Sequence, residues 1–116
     1  MSKLKVGLIG GGSWGTAVAS LIAKNTDVSL WARSADTVAE INKRHTNKKY
    51  LPDAVLPKNL VAHTDLAAVV SSADVLVMGV PSNSFRDVLK QLRPFVRPWI
   101  PIVSLTKGLE SGTDLR

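Results

Sequence analysis

The stretch Leu4-Lys5-Val6-Gly7-Leu8-Ile9-Gly10-Gly11-Gly12-Ser13-Trp14-Gly15-Thr16-Ala17-Val18-Ala19 decides how the rest of the chain is read. A short apolar run comes first, as a buried parallel strand would. Three consecutive glycines break it, a fourth follows at Gly15, and good helix formers continue from there. Gly10-x-Gly12-x-x-Gly15 therefore falls between a strand and a helix, where a dinucleotide fingerprint has to be. Gly10 allows the tight turn, Gly12 lets the backbone approach a pyrophosphate, and Gly15 lets the helix pack closely on the strand. The free N–H groups and the positive dipole end of that helix then face the phosphates. A glycine-rich turn without a ligand would leave Gly15 unexplained.

Working outward, strand and helix signals alternate. The first crossover helix is expected over Thr16 to Lys24, with Ala17, Leu21 and Ile22 facing the sheet. Asp27 to Ala32 reads as a second strand, and Ser34 is placed to cap a helix through Val38 and Ile41 to Arg44. The polar, basic run from His45 to Pro57 holds Pro52 and Pro57 and reads as a loop crossing the surface. Leu60 to Ala62 is a short strand, followed by a helix capped by Thr64 and running through Leu66, Val69 and Val70. Asp74 to Val80 is the next buried strand, stopped by Pro81. Ser84 is expected to cap a helix whose Phe85, Val88, Leu89 and Leu92 repeat at helical spacing, with Pro94 ending it. Ile102 to Thr106 is the last strand, and Pro101 is tolerated at its start. This alternation predicts an α/β fold, a doubly wound parallel sheet of the Rossmann type in the order 3-2-1-4-5. The Gly loop, Arg33, Pro81-Ser82 and Lys107 all follow strand C-termini, the edge at which open α/β sheets bind ligands.

With 116 residues the chain has room for one domain. Its hydrophobic content of 45% and charged content of 21% are those of a soluble globular chain. No apolar run reaches membrane-spanning length, and Met1-Ser2-Lys3 leads into the first strand rather than a signal peptide, so a cytoplasmic protein is expected. Zero cysteines exclude a disulfide framework and a thiolate metal site. A net charge of +6 suits an anionic ligand, with cations gathered at Lys43, Arg44, Lys48 and Lys49 and again at Arg86, Lys90, Arg93 and Arg97. Aromatic content of 5% offers little of the stacking platform of a single-strand binder, so no nucleic-acid role is expected.

The end of the second strand speaks to cofactor choice. An NAD-specific domain ordinarily places Asp or Glu there to hold the ribose 2′-OH, about 20 residues beyond the glycines. Here Trp31-Ala32-Arg33 stands in that place, with Arg33 18 positions after Gly15. A carboxylate repels a 2′-phosphate, whereas a guanidinium binds it bidentately. NADP(H) is therefore the expected cofactor, with Arg33 and Ser34 at the 2′-phosphate and NAD(H) as the alternative. Trp14 lies between two cofactor-facing glycines, and its backbone amide and that of Ser13 are candidate phosphate donors. His45 and His63 lack companions at metal-ligand spacing, so no metal is expected and both read as surface residues. Asp65, Asp74 and Asp87 read as caps or dipole partners at element starts. Lys107 emerges at the rim with Gly108 beside it, where an ammonium can bind a phosphate or stabilise charge developing on a carbonyl oxygen.

Several of these segments together resemble one family. Gly10-Gly11-Gly12-Ser13-Trp14-Gly15-Thr16-Ala17, Leu30-Trp31-Ala32-Arg33, Tyr50-Leu51-Pro52-Asp53 with Leu56-Pro57, Val80-Pro81-Ser82 with Phe85, and Thr106-Lys107-Gly108-Leu109-Glu110 occur in order over nearly the whole chain. This pattern resembles the N-terminal domain of bacterial-type glycerol-3-phosphate dehydrogenase [NAD(P)+]. The resemblance implies cofactor contacts at Ser13, Trp14, Arg33, Tyr50 and Lys107, with Lys107 touching the substrate as well. It implies hydride transfer between NAD(P)H and dihydroxyacetone phosphate, giving sn-glycerol 3-phosphate for phospholipid synthesis, in a homodimeric whole enzyme. Members of that family continue well past a segment of this length, completing the sheet and adding a helical domain with the lysine assigned as general acid/base. The implied reading is that residues 1–116 are the N-terminal part of a NAD(P)-binding Rossmann domain, binding cofactor weakly and turning over nothing alone. Two other readings suit the residues less well: a stand-alone dinucleotide-binding module, and another NADP-linked hydroxyacid reductase.

Overall fold

The computed structural model describes residues 4–10, 12–80 and 82–104, without the side chains of residues 13, 14 and 82–84. Among the described residues, five parallel strands alternate with four helices: β1 (Lys5–Ile9), α1 (Ser13–Ala23), β2 (Asp27–Trp31), α2 (Ala35–Arg44), β3 (Leu60–His63), α3 (Leu66–Ser72), β4 (Val75–Met78), α4 (Ser82–Leu92) and β5 (Ile102–Ser104). A 3₁₀ turn, Arg93–Phe95, follows α4. The spatial order is β3-β2-β1-β4-β5. The expected doubly wound sheet is thus the observed one, and its direction of winding reverses between β1 and β4. No helix among the described residues is long and apolar enough to cross a membrane.

Period-2 alternation splits the core in two. Val6 and Leu8 of β1, Val28 and Leu30 of β2 and Val77 of β4 point to one face, where Ala19 and Ala23 of α1 and Ile41 of α2 meet them. Ile9, Trp31, Leu76 and Met78 point to the other, against Val69 and Val70 of α3 and Val88 and Leu92 of α4. The apolar stripe expected on α4 is the buried one, with Val88 and Leu92 fully enclosed and Phe85 and Leu89 packed at the margin.

Several local expectations are corrected. On α1 the residues turned inward are Thr16, Ala19 and Ala23, with Val18 and Ile22 beside them, whereas Leu21 is 62% exposed. The helix begins three residues earlier than its apolar spacing suggested, and small side chains form its contact face, letting it lie low on the sheet. Asp65, not Thr64, caps α3, its Oδ1 accepting from the amides of Ala67 and Ala68. The Thr64 carbonyl instead accepts the Trp31 indole N–H at 2.9 Å, holding that ring under the sheet edge. Asp74 ties two strands together: its carboxylate accepts from the Lys5 amide at 2.8 Å, and its own amide donates to the Lys5 carbonyl. α4 starts at Ser82, ahead of Ser84, so Asp87 lies inside the helix rather than at its start. Pro94 sits in the 3₁₀ turn just past the end of α4. His45 and His63 are half-buried rather than superficial, and Arg97 donates from its guanidinium to the Ala73 carbonyl. Among the described residues no cluster of His, Cys, Asp or Glu could hold a metal ion.

The run from His45 to Pro57 does more than cross the surface. His45 ends α2 in the left-handed conformation (φ 58°), its amide donating to the Ile41 carbonyl. Asn47 and Leu51 then form an antiparallel bridge, and Leu56 is buried in the α1/α2 core. At the outer edge of the sheet the Asn42 amide makes two hydrogen bonds to Ala62, donating to its carbonyl at 2.9 Å and accepting from its N–H at 2.8 Å. Those are backbone groups that an edge strand would otherwise leave open to another chain.

Candidate functional site

The strand C-termini form a level rim. Register pairs Ile9 with Trp31 and Met78, Trp31 with His63, and Met78 with Ser104, so these five residues lie along one row, about 5 Å apart from strand to strand. The Gly10 amide donates to the Trp31 carbonyl and the Gly79 amide to the Ile9 carbonyl, so the glycine turn leaves β1 from the centre of that row. It does so beside the reversal point between β1 and β4, where open α/β sheets present a crevice to ligands.

Two glycines there are sterically obligatory. Gly10 has φ 124°, and a Cβ on it would lie 2.8 Å from the Gly79 carbonyl oxygen. A Cβ on Gly15 would lie 2.2 Å from the Gly10 carbonyl oxygen, so only a hydrogen allows α1 to seat against the turn. Gly12 differs. Its backbone is extended (φ −79°, ψ −170°), and a Cβ on it would meet nothing within 4 Å. The space a side chain would fill there is open.

That space lies at the start of α1. Gly12 is the N-cap and has no side chain with which to accept an amide hydrogen, and no acidic residue stands in the first turn. The amides at the start of a helix lack intrahelical acceptors and carry the positive end of its dipole. An anion with several oxygens, such as a pyrophosphate, suits donors of this kind. The candidates Gly10, Gly12 and Gly15, and the backbone of Ser13 and Trp14, are therefore together at one turn.

Arg33 follows β2, two residues past the Trp31–Ile9 pair, and is exposed with its guanidinium 5.8 Å from the centre of the Trp31 ring. The face of that buried indole holds the cation at the rim without neutralising it. Ser34 is the N-cap of α2, its Oγ accepting from the Thr37 amide at 3.3 Å. Tyr50 is 37% exposed, with the Lys49 ammonium 5.3 Å from its ring centre. Lys107 lies outside the described residues, three positions beyond Ser104 in the rim row.

Two residues at the site went unnoticed in the sequence. Asn47 is 1% exposed and donates from Nδ2 to the Thr16 hydroxyl at 3.0 Å, linking the Tyr50 turn to α1 across 31 positions. Gly79 supplies the carbonyl against which Gly10 is packed. Asn47 had no signal beyond being one polar residue in a polar loop, whereas Gly79 interrupts an apolar run and could have been suspected.

The basic residues at the end of α2 and in the loop after it do not make a field of one sign. Lys43, Arg44 and Lys48 line a shallow groove of about 400 Å³ with Asp36 and Glu40. The Glu40 carboxylate accepts from the Thr46 hydroxyl at 2.7 Å and from the Lys48 amide at 2.8 Å. The Thr46 bond, then the Lys48 amide, and further the Lys48 and Arg44 charges hold its pKa below the usual glutamate value against a smaller opposing effect of burial.

Comparison with known proteins agrees with this geometry. Residues 5–116 match the family model described as the N-terminus of NAD-dependent glycerol-3-phosphate dehydrogenase. The chain is 57% identical over 114 residues to glycerol-3-phosphate dehydrogenase [NAD(P)+] 2 of Sphingopyxis alaskensis, covering 98% of this chain and 34% of that protein. It is 50% identical to the glycerol-3-phosphate dehydrogenase [NAD(P)+] of Mycobacterium avium, covering all of this chain and 34% of that one. The crystal structure of glycerol-3-phosphate dehydrogenase from Coxiella burnetii superposes with a TM-score of 0.84 at 35% identity, over 95% of this chain and 34% of that one. The chain thus spans about a third of the length of the relatives it matches. By sequence over nearly all its residues, and by fold, it belongs to the family of NAD-dependent glycerol-3-phosphate dehydrogenase N-terminal domains.

Proposed function

We propose that this chain is the NAD(P)H-binding part of an oxidoreductase that interconverts dihydroxyacetone phosphate and sn-glycerol 3-phosphate. The observation that carries the cofactor reading is the open space at Gly12, set at an uncapped helix start beside the reversal point of the sheet. The backbone amides of Ser13, Trp14 and Gly15 would hold the pyrophosphate there. Arg33 would pair with a 2′-phosphate, and Ser34, whose oxygen is engaged by Thr37, would donate its hydroxyl hydrogen to the same group. Tyr50 would close the adenosine side, and Lys107 would bind the cofactor and the substrate. The bound nicotinamide supplies or accepts the hydride. Relatives about three times as long, named glycerol-3-phosphate dehydrogenase [NAD(P)+], support the substrate and the choice between the two cofactors. The reading carries with it a cytoplasmic, homodimeric whole enzyme that supplies glycerophospholipid synthesis.

Titration with both cofactors tests it. Wild-type protein should bind NADPH more tightly than NADH, and Arg33→Ala should erase most of that difference, roughly a tenfold effect for a charge-assisted phosphate contact. Equal affinities in both proteins would refute the role of Arg33. Residues 1–116 alone should not oxidise NADPH with dihydroxyacetone phosphate, and measurable turnover would show that they do not need the remainder of the enzyme.

A further inference from the structure

We propose that Asn47 is a positioning residue that holds the Tyr50 turn against the first turn of α1, so that both close on one dinucleotide. The inference rests on the reading of the α1 start as a dinucleotide site. Asn47 lies at the centre of a short, doubly anchored turn. On the outer side, Glu40 of α2 accepts from the Thr46 hydroxyl and the Lys48 amide, the residues flanking Asn47. On the inner side, the Asn47 amide reaches Thr16. Its own carbonyl accepts from the amides of Tyr50 at 3.2 Å and Leu51 at 2.7 Å, which sets the direction in which Tyr50 leaves the turn.

Thr16 is the residue whose amide closes the first turn of α1 onto the Gly12 carbonyl, at 2.9 Å. The side-chain bond from Asn47 therefore ends one helical turn from the open space at Gly12. Both partners are fully enclosed, so the bond is made away from bulk water, where losing one partner strands the other. A loop anchored only to α2 would follow that helix and carry Tyr50 with it. The bond to Thr16 references the turn to α1 instead, the element that bears the phosphate-facing amides. Asn47 itself touches no ligand in this account and acts through Tyr50.

The test is the dissociation constant for NADPH, measured with thermal melts to check folding. Asn47→Leu keeps the volume and removes the donor; Thr16→Val removes the acceptor, and Thr16→Ser keeps it. Asn47→Leu and Thr16→Val should each raise the constant roughly tenfold, and together no more than either alone. Thr16→Ser should bind as wild type does. In a Tyr50→Ala background, Asn47→Leu should change the constant by less than about twofold, because its route to the ligand is gone. Undiminished loss in that background, additive losses, or unchanged binding in Asn47→Leu would overturn the proposal. Should Asn47→Leu fail to fold, the Thr16→Val and Thr16→Ser pair decides by the same constants, read with and without Tyr50→Ala. Wild-type protein that binds neither NADPH nor NADH would overturn the site reading itself, and this inference with it.

Discussion

Helices α1 and α2 follow neighbouring strands at the same rim and pack into the same half of the core, yet they begin in opposite ways. α2 is closed from within. Ser34 accepts from the Thr37 amide and Asp36 lies in its first turn, so an orphan amide and the dipole are answered by the chain itself. α1 starts at a glycine, with no acidic residue to follow. A cap is worth about 1 kcal/mol and an acid in the first turn about 0.3–1 kcal/mol. α1 forgoes both while sitting at the centre of the sheet, where the fold depends on it. The helix start at the centre of the sheet is thus the one the chain leaves without a side-chain cap, as the proposed pyrophosphate site requires.

That contrast can be broken at several points. The largest effect should come from Gly15→Val, whose Cβ would fall 2.2 Å from the Gly10 carbonyl oxygen. Lifting α1 off the turn should cost about 3 kcal/mol and abolish cofactor binding, read by chemical denaturation and titration. Asp65→Ala removes the cap of α3, a helix on the other face, and should cost about 1 kcal/mol with NADPH affinity unchanged. A binding loss there as large as at α1 would mean that any damaged helix start weakens the site, and the contrast would lose its meaning.

The smallest effect concerns the loop after α2, which is hydrogen-bonded to both helices. The Glu40 carboxyl is held below its ordinary value of 4.5, first by the Thr46 hydroxyl. A group whose pKa is lower in the folded protein stabilises it above the unfolded value and loses that stabilisation as pH falls through the folded one. Stability lost below about pH 4.5 should therefore be slightly steeper in the wild type than in Glu40→Gln, in paired acid titrations. Identical acid limbs would show that the Thr46 and Lys48 contacts do not hold the loop in solution.

What could be read from the sequence follows from which interactions are local. Strand order was legible because strands alternating with helices after a glycine turn admit few right-handed topologies, and the α4 stripe because a period of 3.6 residues reports a buried face without knowing its partner. The roles of Gly10 and Gly15 were legible because steric exclusion at a strand-to-helix turn is nearly independent of context. The face of α1 was not: its rotation is set by the Gly15–Gly10 contact and by the strands beneath, so Leu21, an apolar residue at a plausible spacing, ends outside. Thr64 and Asp65 are both good caps by residue type, and which of them stands at the start of α3 depends on where the chain leaves β3, a position at which the Trp31 indole also engages the Thr64 carbonyl from 33 positions away. Asn47 was hidden for the same reason, since only the folded chain brings it to Thr16. Lys107 and the rim beyond Ser104 lie outside the described residues.

Gly12→Asp tests the central claim most directly, because it gives α1 what α2 already has. The backbone there suits any residue and an added Cβ meets nothing within 4 Å, so the protein should melt at the same temperature or slightly higher, while the carboxylate would occupy and repel the place proposed for the pyrophosphate. The account predicts an unchanged or raised melting temperature with NADPH affinity down roughly a hundredfold; an equally stable variant that binds NADPH as tightly as the wild type would contradict it.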